Sequence, residues 1–429
     1  MSTTHATAPD EPGTPDASRP QPGPDAGPGL SPTHGTTVWA EIDHDALAAN
    51  VRRLRALAPS SEFMAVVKAD AYGHGLLPVA RTAVAAGATW LGAAQFAEAF
   101  ALRDAGLTEP RLLTWLSVPG SDFAGAVARD IDLSASAPWV LDEVAVAARA
   151  LGRTARIHLK VDSGLGRGGA YGADWSTLVD HARRLEAEGV IRVVGVWTHF
   201  AHADAPEHPT VLAQQERFFE AVAEGERAGL RPELRHLANS AATLVHPSAH
   251  ADLVRPGIAM YGLTPVPQVD DDFGLRPVMT LRARLALVKR LPAGQGISYG
   301  HVYTPEVDTV VGLVPAGYGD GIPRDATNVG PVRVGDLRTT IAGRVCMDQF
   351  VVDLGPGATA QAGDVVTLFG GAPGEPTAQD WADATDTISY EIVTRLGARV
   401  PRLHVGEALP AGTSTADDAS GVAVTKDQA

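Results

Sequence analysis

Residues 63–75 read FMAVVKADAYGHG. The run Phe63–Val67 is apolar and ends in two β-branched residues, which predicts a buried strand over 63–69. That strand delivers Lys68 at its carboxyl end, and the chain then breaks into a loop through Asp70, Gly73 and Gly75. Burial disfavours the charged form of an amine, and a neutral amine is a nucleophile toward carbonyl carbon. The bland alternative is a lysine whose stem lies along apolar surface while its head stays in water. The stretch alone leaves the two readings level.

Seven more short runs of similar texture follow: WLGAA (90–94), RLLTWL (111–116), DLSAS (132–136), RIHLKVD (156–162), VVGVWTHF (193–200), ELRHLAN (233–239) and DLVRPG (252–257). Amphipathic segments such as 76–87, 140–152 and 178–189 lie between them. Apolar strands alternating with such helices predict a parallel sheet covered on both faces. Eight units in about 220 residues is the size of a (β/α)8 TIM-type barrel, with an open doubly wound sheet as the alternative. Lys68, Asp162, His199, Asn239 and Arg255 all fall at the carboxyl ends of these runs. A barrel gathers its chemistry on that face, so the pattern favours the barrel.

Ahead of the barrel, TVWAEI (37–42) alternates as a strand, and a helix over 46–57 places Leu47, Val51 and Leu54 on one face. Asp43 or Asp45 is its cap. Beyond it, PQVDDDFGLRP (267–277) reads as an acidic linker. The runs at 281–291, 309–315, 337–354 and 363–370 then alternate with turn signals, and no long helix recurs until 376–396. The predicted organisation is a barrel over 37–270 and a predominantly β domain over 276–408. Tails at 1–36 and 409–429 complete the chain. The first 36 residues hold eight prolines and almost no large apolar side chains, so both tails are expected to be disordered.

A chain of 429 residues exceeds one ordinary core. Its net charge of −15 argues against nucleic acid and anionic membrane surfaces as partners. The lone Cys346 permits no internal disulfide and fits a reducing compartment. No basic and apolar leader opens the chain and no apolar run is long enough to span a bilayer, so the expected location is the cytoplasm.

Four further stretches carry chemistry. Arg255 precedes Pro256-Gly257 at a strand end, where a functional role outweighs the usual surface ion pair. His199 in WTHFAHAD is a core imidazole, a ring-stacking group or, with His202, half of a metal site; no carboxylate completes the last, and no metal is expected. Asn239 and Ser240 open a predicted helix, which suits phosphate binding and equally suits plain capping. GLGRGG (164–169) has the spacing of a dinucleotide-binding turn, but no amphipathic helix opens directly after it, and Glu186 and Glu188 lie inside a helix.

AVVKADAYGHG (65–75) resembles the cofactor-lysine segment of the alanine racemases. The likeness runs over 37–405, through KVDSGLGRGG, THFA, HLANSAAT, RPGIAMYG, GISYGHVYT, CMDQ and TISYEIVTR in order. It implies pyridoxal 5′-phosphate held covalently by Lys68, with Tyr72, Ser240, Gly257, Ile258 and Tyr390 around its phosphate beside Asn239. By the same resemblance His199 packs on the cofactor ring and Arg255 meets the pyridine nitrogen. An arginine there only donates, so it leaves the nitrogen unprotonated and the ring a weaker electron sink. Arg167 is implied to bind the substrate carboxylate, and Lys160 matches a lysine carbamylated in some relatives. The family pattern also moves TVWAEI into the second domain.

Racemisation needs two bases on opposite faces of one planar carbanion. GISYGHVYT resembles the segment carrying the second base, here Tyr299, supplied across the interface of a homodimer. Met347, Asp348 and Tyr318 resemble residues of that same partner face. The implied function is interconversion of L-alanine and D-alanine, with D-alanine serving peptidoglycan synthesis. A racemase for serine, lysine or other amino acids is the alternative. A decarboxylase of the same fold is less favoured, since it pairs the ring nitrogen with an acid. A single-barrel pyridoxal-phosphate carrier would lack residues 276–405, and a scaffold would have no use for Lys68, Arg255 and Tyr299 together.

Overall fold

A computed structural model describes residues 35–410; the expected disordered tails lie, but for their innermost residues, outside the described residues. Strand β1 (Val38–Asp43) leads directly into a helix, His44–Leu57. Asp43 caps that helix, accepting a hydrogen bond from the Ala46 N–H at 2.9 Å. Asp45 has a different task, accepting from the backbone N–H groups of Glu407 and Ala408.

All eight predicted parallel strands are present. They are β2 (Glu62–Val66), β3 (Trp90–Ala93), β4 (Arg111–Thr114), β5 (Asp132–Ala135), β6 (Ala155–Lys160), β7 (Ile191–Trp197), β8 (Leu234–His236) and β9 (Leu253–Val254). They pair in the order β8-β7-β6-β5-β4-β3-β2-β9. The N–H groups of Asp252 and Arg255 donate to the carbonyls of Arg235 and Ala238, joining β9 to β8. The ring closes, and the open-sheet alternative fails. Several strands end earlier than predicted: Lys68, Asp162, His199 and Asn239 lie past the last paired residue, free to project from the barrel mouth. Inside, the Trp90 ring meets His158 edge-on at 5.4 Å. Their strands, β3 and β6, are not neighbours, so this contact crosses the barrel interior.

β1 is not a barrel strand. It pairs antiparallel with β10 (Met279–Arg284) and parallel with β17 (Arg402–Val405). The barrel part of 37–270 therefore begins at the His44–Leu57 helix. The reason is register: a strand before the first helix can join whichever sheet offers a free edge, and the later chain offers one on each side of β1. The remaining strands are β11 (Leu287–Leu291), β12 (Thr309–Val314), β13 (Pro331–Val334), β14 (Leu337–Thr340), β15 (Phe350–Gly355) and β16 (Val365–Phe369). One sheet runs β14-β13-β16-β10-β1-β17 and a smaller one β11-β12-β15. The single run read over 281–291 thus splits, with β10 in one sheet and β11 in the other.

Two helices, Ala378–Ala384 and Ser389–Thr394, fall inside the predicted 376–396 segment. The second packs against the loop after β2. A Cβ at Gly73, where φ is +78°, would lie 2.4 Å from the Val393 carbonyl oxygen. Only glycine permits that approach.

Candidate active site

Lys68 leaves β2 at the top of the barrel. The next four residues, Ala69 to Tyr72, have φ of +52° to +56° and form one left-handed turn. For L-residues that region costs about 1–2 kcal/mol each. The turn places Lys68 at its start and Tyr72 at its end, with the Lys68 Nζ 5.8 Å from the Tyr72 ring centroid. Nothing in the sequence pattern signalled it, because alanine, aspartate and tyrosine carry no left-handed preference strong enough to read.

Lys68 opens into a cavity of about 570 Å³. Its walls bring together Tyr72, Lys160, Arg167, His199, Asn239, Ser240, Arg255, Gly257 and Tyr390, all named from sequence. Ile258, next to Gly257, starts a buried one-turn helix behind this wall. Trp115, Leu116 and Trp197 also line the cavity and were missed. Both tryptophans stand at strand ends, a signal no stronger than that of any core aromatic.

The cavity is electropositive within an acidic chain. Burial pushes the Lys68 amine down, Arg167 adds to this, and Glu98 opposes it. Burial, with Arg167 and Arg255, lowers Lys160 to about 8. His199 is pushed down to about 3 by burial and then by Arg255, so it is a neutral imidazole. Lys160 Nζ also sits 4.4 Å over the Trp197 ring, a cation–π contact.

Arg255 is buried, and burial lowers it to about 9. Its Nη2 donates to the carbonyls of Thr198 at 2.7 Å and Leu237 at 3.0 Å. Nη1 meets His236 Nδ1 at 3.2 Å. Beyond, His236 Nε2 and His158 Nδ1 lie 2.9 Å apart, and His158 Nε2 reaches Asp132 at 3.2 Å. Asp132 also binds Arg111 at 2.7 Å and Arg156 at 2.6 Å. Asp132 is the first residue of β5 and Arg255 follows β9, so this chain runs from the barrel floor to its mouth.

GLGRGG does not form a dinucleotide turn. Asp162 Oδ1 accepts from the N–H groups of Gly164, Leu165 and Gly166, and the loop wraps that carboxylate. The wrap carries Arg167 to the cavity.

On the opposite wall, Asn239 caps the Ser240–Val245 helix through the Ala242 N–H, and Ser240 Oγ accepts from Gly257 N–H at 2.8 Å. A Cβ at Gly257 would stand 2.2 Å from the Tyr72 hydroxyl, so backbone and phenol crowd one spot. Burial raises both Tyr72 and Tyr390, which keeps their hydroxyls as neutral donors. A hydroxyl, two phenols and backbone amides on one side, an amine and a buried guanidinium on the other, match the donor set that pyridoxal 5′-phosphate requires.

Four named residues are elsewhere. Tyr299 is 70% exposed, and Tyr318 and Met347 are exposed as well. They share one face. The Tyr318 and Gly319 N–H groups donate to the carbonyls of Cys346 and Met347, and Ser298 Oγ donates to the Arg344 carbonyl. Arg399 pairs with Asp348 on that face at 2.8 Å. His202 stacks on His208 at 3.9 Å, and no cluster of metal-ligating side chains is found among the described residues.

Residues 42–265 match the family "Alanine racemase, N-terminal domain", and residues 278–404 match "Alanine racemase, C-terminal domain". The chain belongs to the alanine racemase family. It is 59% identical to an alanine racemase of Frankia casuarinae over 369 residues, 85% of this chain and 96% of that one. The solved alanine racemase of Streptomyces lavendulae, a D-cycloserine producer, superposes with a TM-score of 0.85 at 56% identity, covering 86% of this chain and 97% of that one. The alanine racemase of Bartonella henselae, solved with covalently bound pyridoxal phosphate, has a TM-score of 0.79 at 25% identity and covers 86% and 100%. Alanine racemases are pyridoxal-phosphate-dependent isomerases, and the donor set around Lys68 fits that cofactor. The described helices include none long and apolar enough to cross a membrane.

Proposed function

We propose that the chain is a homodimeric alanine racemase whose two active sites are each built from both subunits. The observation that carries the dimer is the split of the machinery. Lys68, Arg255 and the phosphate-side donors share one cavity, while Tyr299, Tyr318, Met347 and Asp348 stand together on an exposed face. A second subunit would bring that face over the mouth of the first.

Lys68, Ser240, Gly257, Ile258, Tyr72 and Tyr390 would hold the cofactor, with His199 against its ring. When bound, it supplies a carbonyl for the amino acid's nitrogen and a π-system that stabilises negative charge at Cα. The residues do the rest. Arg255 donates only, so against the ring nitrogen it would leave that nitrogen unprotonated and make the ring a weaker electron sink. Arg167 orients the substrate carboxylate. Lys68, lowered by burial, takes the proton from the Cα of D-alanine, and Tyr299 of the other subunit takes it from L-alanine. The other base then delivers a proton to the opposite face of Cα, which inverts the centre. A cytoplasmic enzyme of this kind supplies D-alanine to cell-wall synthesis.

Two measurements test this. Rates from L-alanine and D-alanine, with added pyridoxal phosphate, should converge on a racemic mixture; alanine that stays optically pure rules out the activity. Mixing inactive Lys68→Ala with inactive Tyr299→Phe should restore about a quarter of the wild-type sites, since heterodimers keep one intact site. No restoration after subunit exchange would leave the site within one chain.

A further inference from the structure

We propose that Glu98 is a positioning residue for Lys68: its carboxylate holds the start of the left-handed turn and so fixes where the amine points. The inference rests on the function proposed above.

Glu98 lies three residues into the helix that opens at Phe96, after β3. Its Oε2 accepts from the N–H groups of Ala94 and Gln95 at 2.9 and 3.0 Å. The Gln95 contact belongs to an ordinary capping box. Its Oε1 does something a cap does not need: it accepts from the Ala69 N–H at 2.6 Å, on a different strand's loop. Ala69 follows Lys68 and is the first left-handed residue, with φ of +54°. One carboxylate thus ties the mouth of β2 to the mouth of β3 at the residue next to the reacting amine.

The rest of the turn has its own anchors. Ala71 N–H donates to the Val67 carbonyl, Leu76 N–H to Asp70 Oδ1, and Arg402 Nε to the Gly73 carbonyl at 2.9 Å. Each of those acts on or beyond Asp70, two residues past Lys68, or on the helical backbone itself. Glu98 alone among the described side chains grips Ala69.

Its charge matters too. The charged groups acting on Lys68 are Arg167, Lys160 and Glu98, with neutral His199 and the Tyr72 ring beside it. Glu98 is a carboxylate whose field favours the ammonium. It therefore fixes the direction of the group that exchanges a proton with Cα and offsets part of the lowering that burial and Arg167 impose.

Glu98→Gln keeps the length, keeps one oxygen for the cap, and sets an NH2 against the Ala69 N–H. The expected result is a fall in kcat/KM of about tenfold in both directions. The Cα-deuterium isotope effect should rise for D-alanine, whose proton Lys68 removes, and shrink for L-alanine. The visible circular dichroism of the bound cofactor should change while borohydride still labels Lys68. Gln95→Ala, which loses the cap side chain but leaves Glu98, should keep wild-type isotope effects. If Glu98→Gln does not fold, Glu98→Asp keeps the charge and shortens the reach by one methylene, and the same isotope pattern is expected. Unchanged isotope effects and dichroism in these variants, with only a lower melting temperature, would reduce Glu98 to a helix cap and overturn the inference. A wild type that does not racemise alanine would instead overturn the proposed function.

Discussion

Arg255 Nη1 meets His236 Nδ1 at 3.2 Å, and that one contact sets the tautomers down the whole barrel. A guanidinium cannot accept, so His236 Nδ1 must, and its Nε2 carries the hydrogen. His236 then donates to His158 Nδ1, and His158 Nε2 donates to Asp132. Every hydrogen bond points from mouth to floor. Burial lowers both histidines, which keeps them neutral links.

Asp132 is the acceptor that ends this chain. Its burial works to raise the carboxyl, but the hydrogen bond from His158 and the charges of Arg111 and Arg156 win, and it sits at about 2. A carboxyl lowered in the fold contributes stability above its unfolded value near 3.8, lost as pH falls toward 2. Asp132→Asn leaves Arg111 and Arg156 facing a neutral group. It should lower stability at neutral pH by about 3 kcal/mol, read by denaturant unfolding. A midpoint within error of wild type would show the floor network to be energetically idle.

His44 predicts the behaviour under milder acid. It bonds Thr82 at 2.6 Å and His404 at 2.8 Å between the first helix and β17. Burial and then the neighbouring His404 lower it from 6.5 to about 4, against a smaller opposing effect of Asp45. A histidine lowered in the fold must lose stability as pH falls from 6.5 to about 4, because only the unfolded chain takes up the proton there. The loss is about 3 kcal/mol. The slope of melting temperature against pH in that window should flatten in His44→Gln; an unaltered slope would assign the acid sensitivity to other buried histidines.

Tyr299→Phe removes one proton carrier and no cofactor contact. Racemisation should fall by about 10²–10⁴-fold in both directions with pyridoxal-phosphate affinity unchanged. The Cα-deuterium isotope effect should grow for L-alanine and not for D-alanine, the reverse of the Glu98→Gln pattern. Equal isotope effects for the two enantiomers would remove Tyr299 from the role of second base.

Gly257→Ala asks whether the phosphate wall is as tight as it looks. The added Cβ meets the Tyr72 hydroxyl at 2.2 Å, and one of the two must move. Pyridoxal phosphate should bind the apoenzyme about tenfold more weakly, a change of about 1.4 kcal/mol. Titration of the apoenzyme by absorbance reads it directly, and wild-type affinity would mean the cradle is looser than its backbone suggests.

The barrel was written locally. Each of its strands is a short apolar run and each of its helices an amphipathic one, and both periods depend only on neighbours in the chain. The same holds for Lys68, His199, Asn239 and Arg255, which fall at strand ends whatever the later packing does. The family motifs then gave those positions their chemistry. What local pattern could not carry was any pairing between distant segments. β1 reads locally as a strand ahead of the barrel, but its sheet is set by β10 and β17, which take both its edges some 240 and 360 residues later in the chain. The left-handed turn at 69–72 is held from outside by Glu98 and Arg402 and from within by the Asp70 carboxylate, although its residues prefer another conformation. The line from Arg255 to Asp132 exists only because eight strands close into a ring around it and β5, β6, β8 and the end of β9 each turn a side chain inward. Hydrophobic period is a property of a segment; strain, register and buried polar contacts are properties of the closed fold.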